Sequence, residues 1–168
     1  KKKDGGTDEY TAQAIVIATG GAPIDVKAWP RDGDTIINSD DAVSLKRIPK
    51  NLLIVGGGVI GLEFATVYTR LGAKVLVVEA MPNILTGTDL EISKTLARIL
   101  KKQGVEIALS TKVETIEKVA DHRVKATFNG EYTSGKPETR DFGMVLVAVG
   151  RGPVTDTLDV AAAGLAVN

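Results

Sequence analysis

Three glycines in the stretch "NLLIVGGGVIGLEFA", set as Gly56-x-Gly58-x-x-Gly61, are the residues whose type and spacing speak most directly of chemistry. Such a turn carries no reactive group. It gathers backbone N–H groups and the positive end of a helix dipole at one point, which suits a phosphate. Taken alone, the triplet also fits a bare strand-to-helix turn. Its setting favours a ligand: the apolar run Leu52 to Val55 leads into it, a helical pattern follows, and the next apolar run ends in the acidic Glu79. Those are the parts of a dinucleotide fingerprint. In that reading Gly56 permits the tight turn, Gly58 clears space for amides to approach a pyrophosphate, and Gly61 lets helix and strand pack closely. Gly57 lies within the same turn, and the N–H groups of Val59, Ile60 and Gly61 face the phosphate charge. Glu79 should accept hydrogen bonds from an adenosine ribose. A carboxylate there repels a 2′-phosphate, and no Lys or Arg occurs from Ala80 through Thr88 to neutralise one, so NAD is expected over NADP. Glu63 follows the last glycine by two residues and is read either as a charge suited to the helix dipole or as a group near the nicotinamide.

Little other chemistry is available. With no cysteine and one histidine, the 168 residues offer no thiolate nucleophile, no Cys-ligated zinc and no Ser-His-Asp site. No catalytic residue and no metal ligand is expected within the chain, and His122, beside Asp121 in an expected hairpin, reads as a surface turn residue. Lys plus Arg equal Asp plus Glu at 21 each, so no net field recruits nucleic acid or an anionic membrane. No apolar run approaches the roughly 20 residues of a membrane helix. The start, "KKKDGGTDEY", lacks the hydrophobic segment of a signal peptide, and its lysines read as a solvated edge. A soluble chain is expected.

The elements that must hold the turn follow from periodicity. Ala14 to Ala18 is all apolar and stopped by Gly20, Gly21 and Pro23, which predicts a buried strand. Ile24 to Lys50 is irregular, with Ser39-Asp40-Asp41 offering an N-cap to one short helix ending near Lys46. A clear alternation comes next: strand Leu52 to Val55, helix Ile60 to Leu71, strand Val75 to Glu79, helix Leu90 to Gln103, strand Val105 to Leu109. It predicts right-handed crossovers and a parallel sheet. The second helix opens with the capping-box spacing Thr88 to Glu91 and puts Ile92, Leu96, Ile99 and Leu100 on one stripe, expected to be core. Beyond Ser110 the period becomes two, over Val113 to Val119 and Arg123 to Phe128, with reversals marked at Asn129-Gly130 and Gly135-Lys136-Pro137. A last buried strand runs Met144 to Val149. The fold class is α/β, a Rossmann-like parallel sheet with flanking helices plus an antiparallel β-meander.

Three stretches in this order, "IVIATGGAP", "IVGGGVIGLEFA" with "VVEA", and "VLVAVGRGP", resemble the central part of the FAD-dependent pyridine-nucleotide disulfide oxidoreductases. The resemblance covers nearly the whole chain. It implies that residues 1–22 end the first half of an FAD domain, 23–50 form a connector, 51–150 an NAD-binding domain, and 151–168 a return segment toward the FAD domain. Thr19, Gly20 and Gly21 would then stand on the FAD side, Gly56 through Glu63 with Glu79 would hold NAD, Val113 would meet the adenine end and Gly150 the nicotinamide side. Two positions depart from the family pattern, Gly21 where Ser is frequent and Val154 where Asn usually follows the proline. "GGGVIGLE", "VVEA" and "DLEISKTLARILKKQGVEI" look most like the dihydrolipoamide dehydrogenase branch, whose members pass electrons from dihydrolipoyl groups through a disulfide and FAD to NAD. Mercuric reductases and other NAD-linked relatives are the alternative, and a stand-alone NAD-binding module a further one. The redox cysteines, the FAD-binding glycine turn and the histidine base of that family have no counterpart in the sequence. The chain is therefore expected to be the central portion of a larger enzyme and inactive by itself. The resemblance implies a homodimer working with the lipoyl-bearing acyltransferase of a 2-oxoacid dehydrogenase complex, in a bacterial cytoplasm or a mitochondrial matrix.

Overall fold

The computed structural model describes residues 4–44, 47–156 and 158–166. Lys1 to Lys3 and the helix end expected near Lys46 lie outside them. The chain divides into two units, Pro23–Gly152, and Lys1–Ala22 together with Pro153–Asn168.

Alternation of apolar residues builds the larger unit. Its five-stranded parallel sheet uses β2 (Ile36–Ile37), β3 (Asn51–Val55), β4 (Lys74–Val78), β5 (Glu106–Ala108) and β9 (Met144–Val147), in the order β2-β9-β3-β4-β5. Successive residues of a strand point to opposite faces, and here both faces are covered. One set, including Leu52, Ile54, Val75, Val77, Ile107, Met144 and Leu146, packs under α2 (Val59–Arg70) and α3 (Leu90–Lys102). The intervening set, Leu53, Val55, Leu76, Val78, Ala108, Val145 and Val147, packs under the meander β6 (Thr111–Ala120), β7 (Arg123–Gly130) and β8 (Glu138–Phe142). The meander thus lies across a face of the parallel sheet, where a second layer of helices would otherwise sit, and it contributes Val124, Ala126, Phe128 and Phe142 as that layer's apolar side. Phe128 is fully buried.

Several expectations are corrected. The apolar run Ala14 to Ala18 forms no strand and is exposed, Ile15 at 83% and Val16 at 87%. Periodicity reports that a segment can be buried, but no described residue covers either face of this one. The strand in that region is β1 (Gly21–Pro23), paired with β10 (Arg151–Pro153). The irregular stretch hides β2, which pairs in parallel with β9 and makes residues 23–50 part of the sheet-bearing unit. The short helix α1 (Ser39–Ala42) is capped one residue earlier than expected, by Asn38, whose side chain accepts from the Asp40 and Asp41 N–H groups. Likewise α3 is capped by Asp89, which accepts from Glu91 and Ile92 N–H, and not by Thr88. Of the expected core stripe, Leu100 is buried and Leu96 partly so, whereas Ile92 (58%) and Ile99 (44%) face solvent. The face that packs inward runs through Ser93, Leu96, Ala97 and Leu100, rotated from the expected stripe. Strand β7 continues through Asn129 and Gly130, and the reversal is made by a 3-10 turn at Glu131–Thr133. His122 does lie at the hairpin tip, with φ +58°, where its Nδ1 meets the Asp34 carboxylate at 3.0 Å.

The connector is tied to the rest of its unit by polar contacts. Tyr68 on α2 donates its hydroxyl proton to the Ala42 oxygen at 2.6 Å, and burial pushes its phenol up. Burial alone would also raise Asp32, but the Lys118 ammonium at 2.8 Å and the N–H groups of Asp34, Ile36 and Thr35 outweigh it and hold its carboxyl far below the usual range. A depressed folded pKa gives stability that is present above the unfolded value, near 3.9, and lost as pH falls through the folded one. Urea unfolding midpoints measured from neutral pH down to about pH 3 should therefore fall less steeply in Asp32→Asn than in the wild type. Parallel acid limbs would refute this role for Asp32.

Candidate functional site

The C-terminal ends of β3, β4 and β9 converge on the glycine turn. Gly56 follows β3 with φ +110°, and an added Cβ would lie 2.4 Å from the Ala148 oxygen just beyond β9. Its N–H donates to the Val78 oxygen at 2.9 Å. Glycine is required there twice over, by conformation and by space. Gly61 is set against the turn itself, with an added Cβ 2.2 Å from the Gly56 oxygen. Gly58 differs from both, since nothing lies within 4 Å of its added Cβ, and φ there is −77°. The space over Gly58 is open to a ligand.

Gly58 is the N-cap of α2 and supplies no side-chain cap, and the first turn holds no acidic residue. Among the described residues the N–H groups of Gly58, Val59, Ile60 and Gly61 find no acceptor. A helix start with free donors and a positive dipole end is an anion-binding arrangement. Glu63 lies in the second turn, beyond the reach of a capping role.

Glu79 follows β4 directly. Its Oε2 accepts from Gly57 N–H at 2.7 Å and its Oε1 from Met81 N–H at 2.8 Å. The Gly57 oxygen in turn accepts from Leu85 N–H at 2.9 Å. The acidic residue is therefore fastened to the glycine turn, a link that no sequence spacing announces. Gly57 has its own reason to lack a side chain, since a Cβ would come within 3.1 Å of Glu79 Cβ.

Gly56, Glu79 and Val113 line one cleft of about 340 Å³, together with Trp29, Val55, Val78, Ala80, Thr111, Lys112 and Val149. Trp29 and Lys112 were not singled out from the sequence. Trp29 sits in the irregular connector, where an isolated aromatic before a proline was the available signal. Val59 and Glu63 line a separate cavity of about 280 Å³ between α2 and α3, so Glu63 does not share the Glu79 cleft. Gly150, with φ +137°, accepts from Ile24 N–H at 3.0 Å. Thr19, Gly20 and Gly21 are exposed in the smaller unit, where the Gly20 oxygen accepts from Val154 N–H at 2.9 Å. Among the described residues no group of three or more His, Asp or Glu side chains is placed to hold a metal, and no helix is long and apolar enough to cross a membrane.

Comparison with known proteins identifies the family. The family model described as pyridine nucleotide-disulphide oxidoreductase matches residues 1–168. A dihydrolipoamide dehydrogenase of Chaetomium thermophilum is 44% identical over 163 residues, 96% of this chain and 32% of that protein. Dihydrolipoyl dehydrogenase 3 of Pseudomonas putida is 40% identical over 165 residues, 98% of this chain and 35% of the relative. Among solved structures, the Cu(II) complex of the HOCl-induced flavoprotein disulfide reductase RclA from Escherichia coli matches with TM-score 0.73 and 33% identity, covering 90% of this chain and 33% of that one. LpdA from Mycobacterium tuberculosis matches with TM-score 0.82 and 27% identity, covering 99% and 35%. The chain spans about a third of the length of these relatives. With a family match along its whole length and relatives at up to 44% identity, the chain belongs to the pyridine nucleotide-disulphide oxidoreductase family.

Proposed function

We propose that residues 51–150 hold NAD(H), and that in the intact enzyme they position its nicotinamide for hydride exchange with FAD during oxidation of dihydrolipoyl groups. The observation that carries this reading is the uncapped start of α2 beneath open space at Gly58, beside a carboxylate, Glu79, fastened to the same turn. The free N–H groups of Gly58 to Gly61 would hold the pyrophosphate. Glu79 would accept from the adenosine ribose, with Val113 and Trp29 forming apolar walls of the cleft. When bound, NAD supplies the hydride acceptor, and the chain's own contribution is placement and electrostatics. Residues 1–22 and 151–168 would meet the FAD domain, with Thr19, Gly20 and Gly21 on its side and Gly150 toward the nicotinamide. Glu63, opening on a cavity of its own, would stand near the nicotinamide end of the site.

The lipoyl-linked role draws on the names of the relatives at 38 to 44% identity, described as dihydrolipoyl or dihydrolipoamide dehydrogenases. It implies a homodimer, a lipoyl-bearing acyltransferase as partner, and either a bacterial cytoplasm or a mitochondrial matrix. A second reading has its own support: the likeness to RclA over 90% of the chain fits the same domain serving a reductase with a different electron partner.

Calorimetric titration of the chain with NADH and NADPH tests the cofactor reading. NADH should bind more tightly by at least about tenfold, equivalent to about 1.4 kcal/mol. Equal affinities would remove the claim for NAD, and no binding of either would remove the site. The electron partner is tested separately in the full-length enzyme, by turnover with dihydrolipoamide.

A further inference from the structure

We infer that a basic cleft on α3, distinct from the glycine turn, is a second anion site that takes an organic polyphosphate. The cleft encloses about 500 Å³ and is lined by Asn83, Ile84, Ser93, Ala97, Leu109 and four cations, Lys94, Arg98, Lys101 and Lys102. No Asp or Glu lines it. The volume falls within the range of small-molecule sites.

The charge pattern of α3 is what solubility alone does not require. Its 13 residues carry one acid, Glu91, against four bases, in a chain whose net charge is zero. A solvated helix face gains from alternating signs, and Glu-to-Lys pairs four apart stabilise it. Here Lys94 and Arg98, and again Arg98 and Lys102, are like charges four apart, a spacing that destabilises an isolated helix. The dipole accounts for Lys101 and Lys102 in the last turn but not for Lys94 and Arg98. Lys94 has one exposed ion pair, with Glu91 at 3.5 Å, and Arg98, Lys101 and Lys102 have none among the described residues. A bound anion would relieve this repulsion.

The ligand class follows from shape. From Lys94 to Lys102 the helix rises about 12 Å, so a single phosphate reaches only part of the row, while a chain of phosphates spans it. Ile84 is buried and Ala97 and Leu109 partly so, giving an apolar floor for a base or similar planar body beside the charges. The wall is fixed, because Ser93 donates its hydroxyl proton to the Ile84 oxygen at 2.7 Å.

The inference is independent of the NAD reading. It is tested by titrating the isotopically labelled chain, its glycine-turn site first saturated with NADH, with inorganic tripolyphosphate and, separately, with ATP at low ionic strength, following backbone amide shifts. Saturable shifts should centre on Asn83, Ile84 and residues 93–102 with both probes, and ATP should bind more tightly because its base meets the apolar floor. Arg98→Glu with Lys101→Glu should weaken both by at least about tenfold, whereas Lys125→Glu with Lys136→Glu, also exposed but elsewhere, should not. The neutral pair Arg98→Gln with Lys101→Gln should weaken binding to an intermediate degree. No shifts at Asn83, Ile84 and residues 93–102, no saturation at millimolar probe, or equal loss in the two double reversals would each overturn the site. Tripolyphosphate binding as tightly as ATP would overturn the organic part of the assignment.

Discussion

Gly61→Ala is expected to lower the stability of the fold by about 2 kcal/mol, while Gly58→Ala leaves it nearly unchanged. Helix propensity favours alanine at Gly61 by up to about 1 kcal/mol, but has no bearing at Gly58, the extended N-cap. Packing reverses that sign at Gly61. Its added methyl meets the Gly56 oxygen at 2.2 Å and the Ile54 Cγ2 at 3.2 Å, and the first of these is backbone that cannot rotate away. Nor can Gly56 retreat, because its own space is closed by the Ala148 oxygen. Helix α2 must therefore move off the sheet, losing contact over Leu62 and Ala65, and overpacking of this kind costs about 1–3 kcal/mol. Gly58 has open space and a φ that alanine adopts freely. The two variants separate structure from ligand: urea midpoints should fall for Gly61→Ala alone, while NADH affinity should fall for Gly58→Ala without any change in midpoint. Equal midpoints for both would show that the close approach of helix and turn is not as described.

Glu79→Arg should reduce NADH affinity by at least about tenfold and bring NADPH to equal or better affinity. Two effects coincide at this residue. The carboxylate is the acceptor proposed for the ribose, and its loss removes the charge that repels a 2′-phosphate. It is also the acceptor for Gly57 N–H at 2.7 Å and Met81 N–H at 2.8 Å, so arginine leaves a buried donor unpaired at a cost of about 1–3 kcal/mol. Glu79→Gln separates these effects. It removes the charge and one of the two acceptor oxygens while keeping the other for the buried Gly57 N–H, so the NADH-to-NADPH ratio should narrow with a smaller loss of stability. The ratio of the two dissociation constants is the measurement to read, since it cancels any loss of folded protein. An unchanged ratio in both variants would separate Glu79 from cofactor choice.

Much of the sheet was legible because burial on both faces leaves continuous apolar runs at β3, β4 and β9, and because glycines 72 and 104 close the helices with positive φ. The glycine triplet and Glu79 were legible as a spacing. What joins them was not, since the Gly57-to-Glu79 hydrogen bond spans 22 residues and depends on where two strands end. Strand β2 escaped because two residues carry no period, and its place is set by pairing with β9, more than a hundred residues later. The caps at Asn38 and Asp89 went to the neighbouring acceptor because several candidates stood in a row and only backbone geometry chooses among them. Ile15 and Val16 misled in the opposite direction, since an apolar run states what a segment could bury and says nothing of what is there to cover it. Trp29 became visible as a wall of the cleft only once the connector was folded back over the meander face.

The order β2-β9-β3 also governs how this chain reaches its native state. The strand at the middle of that trio is the last to be synthesised, and both of its neighbours must wait for it across long stretches of chain. Local pairs such as the β6–β7 hairpin can close within microseconds, but the central ladder closes a loop of some ninety residues before any of its hydrogen bonds form. A nascent chain released before Met144 would hold β3 with one flank unpaired and β2 with no partner strand at all. Completion of the sheet is therefore a late event, set by the arrival of β9 at its centre.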